Sequence, residues 1–258
     1  IPVQFGGAAG TLAAVHPHGP DLSDALAEEL GLPRALAPWH TDRSFLTTYA
    51  GTLGATAGAV SKIAGDIVLH AATEVGELSV RGAGGSSAMP HKQNPTAAIE
   101  ARAAAMRVPG LVATMLASAG HEHQRASGAW HAEWETLADL QRLSIGAVSR
   151  LAHALGALEV HTDAMTSNLD LTGGALLAER IVVALGEEVP DARGLVTDAC
   201  VAGVRLVEDP RLLEALGSDP LSRLLEPSGY LGHAGELTDT LLDSLTPICP
   251  PSHEEDHQ

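Results

Sequence analysis

The sequence predicts an all-α protein: a bundle of long helices with a smaller helical domain toward the C-terminus. Three observations carry this. Apolar residues make up 45% of the 258-residue chain but aromatics only 3%, so small side chains must fill the core. Long stretches repeat apolar residues at steps of three and four, the period of a helix face. Several glycines fall inside those stretches, which suits helices that approach closely.

Composition also excludes classes of partner. Fifteen Lys and Arg against 32 Asp and Glu give a net charge of −17. Such a chain repels nucleic acid and anionic lipid. No apolar run of about 20 residues is present, so no membrane span is expected. Cys200 and Cys249 stand alone, which suits a reduced, cytoplasmic setting better than a disulfide framework.

The elements follow in order. Residues 1–15, IPVQFGGAAGTLAAV, are glycine-rich and then apolar. His16-Pro-His-Gly-Pro20 breaks the chain, and residues 21–30 read as a short helix opened by acidic residues. From Phe45 to about Leu78, the residues Leu53, Val60, Ile63, Ile67 and Ala71 mark one long helix, with Thr41 or Asp42 available as its cap. Gly51, Gly54, Gly58 and Gly65 lie inside it and predict close neighbouring backbones. Residues 96–117 form the next helix, with a kink expected at Pro109-Gly110. Trp130 and Trp134 sit one turn apart and read as core packing on a further helix that continues over 137–158. His161-Thr-Asp163 caps the next, and NLDLTGG, 168–174, marks the change of domain. Helices are expected near 175–185, 191–207, 210–216 and 234–245, before an acidic, proline-rich tail with the composition of a disordered segment. The expected division is 1–168, 169–246 and the tail 247–258.

Chemistry concentrates in the loop Arg81 to Pro95, RGAGGSSAMPHKQNP. Its glycines allow tight turning and close approach to a ligand. Ser86 and Ser87 offer hydroxyls, and His91 and Lys92 offer ionisable nitrogens. Asn94-Pro95 reads as an N-cap followed by the first helical residue, and a helix start favours anions. Between Val80 and Trp130 five basic residues face two acidic ones, a window of +3 within a chain of −17. A polycarboxylate ligand would need such a region. His121-Glu-His-Gln-Arg125 is not an H-E-x-x-H motif, and its two histidines would not share a helix face, so no metal is expected there.

Gly85-Ser-Ser-Ala-Met-Pro-His-Lys-Gln-Asn94 resembles the signature of the aspartase/fumarase superfamily, G-S-S-x-M-P-x-K-x-N, which fixes seven residue types in ten. Gln4-Phe-Gly-Gly-Ala-Ala-Gly-Thr11 and Gly128-Ala-Trp-His-Ala-Glu-Trp-Glu-Thr136 further resemble the cycloisomerase branch of that superfamily, as does Pro227 to Gly232. The resemblance covers the whole chain but only the later part of a family member. A Thr-His motif that family members carry earlier has no counterpart, and the chain opens at Ile1 directly in motif-like sequence.

The resemblance implies a homotetrameric helical bundle whose sites are shared between subunits. It implies cofactor-free cycloisomerisation of 3-carboxy-cis,cis-muconate to its lactone, in the protocatechuate branch of the β-ketoadipate pathway. Ser86 would transfer the proton, with Ser87 second. Met89, His91, Lys92 and Asn94 would line the substrate from the loop. Gln4, Thr11 and Arg125 would line it from elsewhere, with Gly10 beside them. Close helix packing explains the Gly-rich start equally well. The rival expectations are another lyase of the superfamily, such as one acting on a succinyl compound, and a catalytically silent structural protein.

Overall fold

The computed structural model describes residues 1–82, 84–85, 93–186 and 189–245. The chain divides into two compact units, Ile1–Thr162 and Asp163 onward.

The first unit is built on three long helices. α1, Gly19–Glu29, is short and peripheral. α2, Ser44–His70, α3, Thr96–Ala117, and α4, Ala129–Gly156, pack against one another through small residues. Ala50, Ala57 and Ala64 recur every seven residues on α2 and are buried, flanked by Val60 and Ile67. Ala98, Ala101, Ala105 and Val108 do the same on α3, and Leu140, Leu143, Ala147, Leu151 and Ala154 on α4. The alanines among these contacts let the helix axes approach, which is how a chain so poor in aromatics closes its core.

Short ladders fix the ends. Strand β1, Leu78–Val80, follows α2 and pairs antiparallel with β4, Leu158–Val160, which follows α4. The C-terminal ends of α2 and α4 therefore lie together. β2, Gly84–Gly85, pairs with β3, Gln93–Asn94, and β3 leads into the start of α3 at that same end. The β2–β3 ladder thus sits at one end of the bundle, and the starts of α2 and α4 sit at the other. The 22 residues of α3 separate the two ends by about 33 Å.

Several expectations are corrected. α2 stops at His70 rather than near Leu78, because the chain turns and Leu78–Val80 is taken into the ladder. The turn is braced by His70 Nδ1, 2.6 Å from Glu77 Oε2. Asn94 is not the cap of α3. Pro95 holds that position without a side-chain bond, and Asn94 is spent opposite Gly84. Neither Thr41 nor Asp42 is the N-cap of α2. Arg43 is, although Asp42 Oδ1 accepts from Ser44 N at 3.0 Å. Of the α2 glycines, only Gly54 is tight, since an added Cβ would lie 3.2 Å from Val112, while Gly51 and Gly58 face open space. Trp134 is 54% exposed and stands edge-on to Trp130 at 5.4 Å, so it is not a core residue.

The second unit holds α5, Thr162–Leu169, α6, Ala178–Leu185, α7, Ala192–Val201, α8, Pro210–Leu216, α9, Ser218–Leu224, and α10, Ala234–Leu245. α7 ends well before Val207 because Gly203 turns left-handed and the chain bends back, Leu206 N donating to Gly173 O. Ile181, Val196, Leu206, Leu212 and Leu221 form its core. Asp209 caps α8, accepting from Arg211 N at 2.9 Å and Leu212 N at 3.3 Å. Among the described residues no helix is long and apolar enough to cross a membrane.

Candidate functional site

A cleft of about 230 Å³ opens at the end of the bundle opposite the β2–β3 ladder. The glycine-rich start of the chain forms one wall. Gln4 Oε1 accepts from Trp39 N at 3.0 Å, and Trp39 Nε1 donates to Val3 O at 3.1 Å. These bonds lay the start of the chain along Pro38 to Arg43. Gly6 must lack a side chain: a Cβ there would lie 2.7 Å from His40 Cε1 and 2.8 Å from Pro38 Cβ. Gly10 has φ +72°, and a Cβ on it would meet Gln124 Oε1 at 2.9 Å. The glycines are therefore seats for His40 and Gln124.

A buried ion pair forms the floor. Arg43 Nε donates to Glu133 Oε1 at 2.9 Å, and its Nη2 donates to Oε2. Both side chains are nearly buried, at 10% and 3% exposure. Arg43 Nη1 also donates to His40 O at 3.3 Å, so one guanidinium ties the start of α2 to α4 and to the segment that precedes it. The His121 side chain is buried, with Nε2 3.3 Å from Glu133 Oε1 but outside hydrogen-bond geometry. Arg125 closes the rim. Its Nη2 donates to Gly7 O at 2.9 Å, and its guanidinium lies 5.3 Å from the centre of the Trp130 ring. Among the described residues no carboxylate pairs with Arg125, so its charge remains available to an anion.

The ionisation of His40 follows from this setting. Burial, then Arg125, hold its pKa below the ordinary imidazole value; the Gln124 side chain opposes them, and Arg43 adds a smaller lowering effect. A cleft with a spare guanidinium and a neutral imidazole can hold a carboxylate and accept a proton near it.

The expected site residues divide between the two ends. Gln4 and Arg125 line the cleft together. Thr11 is exposed on the same glycine-rich segment. Asn94 lies at the other end, half-buried in its ladder. Beside it is a second hollow of about 200 Å³ bordered by Ser79, Gln93, Pro95 and His161. Ser86, Ser87, Met89, His91 and Lys92 lie outside the described residues. Sequence reasoning missed Trp39, His40, Arg43, His121 and Glu133. Glu133 left one signal: an acidic residue four positions before Leu137, on the stripe that continues through Leu140 and Ala147. Among the described residues no three His, Cys, Asp or Glu side chains converge on a point where a metal could sit.

The helical bundle and the signature sequence between α2 and α3 define a lyase fold of the aspartase/fumarase type. Residues 2–110 match the family model described as Lyase. It is 44% identical to the 3-carboxy-cis,cis-muconate cycloisomerase of Pseudomonas aeruginosa over 245 residues, 90% of this chain and 53% of that protein. It is 40% identical to the nitrosuccinate lyase of Streptomyces davaonensis over 260 residues, 93% of this chain and 55% of that one. The crystal structure of the 3-carboxy-cis,cis-muconate lactonizing enzyme from Pseudomonas putida superposes with a TM-score of 0.85 at 39% identity, over 95% of this chain and 58% of that one. The chain thus spans a little over half the length of these relatives.

Proposed function

We propose that this chain carries the chemistry of a cofactor-free cycloisomerase that closes 3-carboxy-cis,cis-muconate to 4-carboxymuconolactone. The observation that carries this is the 44% identity to the Pseudomonas aeruginosa cycloisomerase across 90% of the chain. In the reaction one carboxylate adds across a double bond and a proton is delivered to the adjacent carbon. The enolate-like charge formed on the way is the chief barrier, so donors aimed at it contribute most. Lys92 and Asn94 would supply such donors from the loop, with Met89 and His91 beside them. Gln4, Thr11 and Arg125 would receive the remaining carboxylates. Ser86 would take part in the proton transfer, with Ser87 second. A serine hydroxyl is a weak base and needs a partner for this role.

The β2–β3 ladder, from which the loop springs, and the Arg125 cleft lie about 33 Å apart along α3, a span that one small polycarboxylate does not bridge. A working site would therefore combine the loop of one copy with the cleft of another, within a homotetramer. Met106 and Ile145, on α3 and α4, are 66% and 67% exposed, and they offer an apolar surface for such assembly. The same reading assigns the protein to the cytoplasm and to the protocatechuate branch of the β-ketoadipate pathway.

The nitrosuccinate lyase relative supports a second reading, elimination from a substituted succinate. One assay separates the two. Added protein should bleach the ultraviolet absorbance of 3-carboxymuconate and release no nitrite from nitrosuccinate. The reverse pattern would establish the second reading. Ser86→Ala should abolish turnover and leave the assembled mass unchanged. Full activity in that variant would remove Ser86 from the mechanism.

A further inference from the structure

Two arginines face the same cleft and are held in opposite ways. Arg43, in the floor, is held by the Glu133 carboxylate, which cancels its charge. Arg125, at the rim, is held by neutral groups among the described residues. Its Nη2 donates to Gly7 O at 2.9 Å and its Nη1 to Gln124 O at 3.4 Å. The guanidinium lies over the Trp130 ring, 5.3 Å from its centre. An aromatic face attracts a cation through its quadrupole and leaves the full charge in place. A free surface arginine samples many rotamers, and ordering it when a ligand arrives costs binding energy. An arginine ordered beforehand avoids that cost.

The ring that does the ordering is itself fixed. Gly128, at φ +91°, turns the chain into α4 and so brings Trp130, in the first turn of that helix, back beside Arg125. Trp134, one turn further on, meets the Trp130 ring edge-on at 5.4 Å and 87°. The His131 ring lies 5.8 Å from Trp130 and 4.7 Å from Trp134. Glu133, close by on the same helix, is anchored in the floor by Arg43. Trp130 is not spent on the bundle core, whose α4 members begin at Leu137. It is half-buried and borders the cleft.

We propose that Trp130 is the positioning residue of Arg125, holding its guanidinium ready, and still charged, for one carboxylate of a polycarboxylate ligand. The inference rests on reading the cleft as a site for such an acid. Trp130 acts through Arg125 and gives up neither a proton nor a bond. The aromatic cluster at the start of α4 thereby serves the cleft.

Fluorination of the ring in the full chain tests this. Fluorine drains electron density from the aromatic face and changes its shape little, so it weakens a cation–π contact and spares packing. The probe is tricarballylate, whose three carboxylates accompany no reactive double bond, and calorimetry follows its binding. Tryptophan analogues with one, two and three fluorines at position 130 should weaken binding stepwise, and should change nothing in an Arg125→Met background. Trp130→Leu should weaken binding about fivefold or more, and Trp130→Phe less, since it keeps an aromatic face. The double variant Trp130→Leu with Arg125→Met should bind no more weakly than Arg125→Met alone. Additive losses, an affinity indifferent to fluorination, or an unmutated chain that fails to bind millimolar tricarballylate would overturn the proposal. In turnover, Trp130→Leu should raise KM for 3-carboxymuconate with a smaller change in kcat. An unchanged KM would overturn the proposal and leave the cycloisomerase reading intact. A chain with the full binding pattern and no turnover would count against that reading alone.

Discussion

Arg43 and Glu133, ninety residues apart, form a two-armed ion pair that joins the start of α2 to the start of α4. Burial makes the pair asymmetric in its consequences. Removing either partner strands the other charge away from water. Arg43→Met should cost about 3–5 kcal/mol, and replacing both residues by apolar ones should recover most of that loss. Chemical denaturation followed through the fluorescence of the cleft tryptophans, Trp39 and Trp130, measures it. A loss below about 1 kcal/mol would mean that the pair is solvated.

Gly6→Ala tests the seat of His40. The new Cβ would come within 2.7 Å of the ring, so the ring must leave its place. Binding of tricarballylate, a saturated tricarboxylate used as a probe of the cleft, should weaken at least tenfold when read by tryptophan fluorescence. Gly120→Ala is the control, because a Cβ there meets nothing within 4 Å. Equal effects at both positions would refute the steric explanation.

The pH dependence of stability has a definite sign. The pKa of His40 is lower folded than unfolded, so the unfolded chain binds more protons in the window between the two values. Its contribution is fully present above about pH 6.5 and declines as the pH falls toward the folded value. Denaturation midpoints at about pH 7.5 and about pH 5.5 should differ less in His40→Asn than in the wild type. An unchanged difference would remove His40 as the cause.

In the second unit, Asp209 is nearly buried and caps α8, and its bond from Arg211 holds its carboxyl below the usual carboxylate range. Asp209→Ala should cost about 1–2 kcal/mol, measured by thermal or urea unfolding of that unit. Asp209→Asn should cost less, because the amide oxygen still accepts from the backbone.

Met106→Glu and Ile145→Glu each place a charge on an apolar surface that a single chain leaves exposed. Both should lower the assembled mass in analytical ultracentrifugation while leaving helix content intact. An unchanged mass would locate the contact between copies elsewhere.

The long elements were legible because their signals are local and repeated. Residues 96–117 were expected as a helix and form one from Thr96 to Ala117, since alanines at helical spacing leave little alternative. The end of α2 was not legible. Leu78 continues the apolar period, but its partner, Val160, lies far away in sequence. α9 was overlooked because it is a single short segment following Gly217. Gln4 and Arg125, which line one cleft, were singled out, the first through motif likeness and the second through the locally basic window. Arg43 and Glu133 were not, because a buried ion pair depends on two distant residues meeting, and neither is unusual alone. Gly51 and Gly58 were expected to meet neighbouring backbone, yet within one chain they face open space.

The most direct measurement of a site shared between copies is complementation. Ser86→Ala chains lack the loop hydroxyl, and Arg125→Met chains lack the cleft cation. Each should be inactive alone. Refolded together in equal amounts, they should regain about a quarter of the turnover of the unmutated protein, the statistical share of sites with both parts intact. A mixture as inactive as its parents, under conditions where the unmutated chain turns over 3-carboxymuconate, would contradict a site built from two copies.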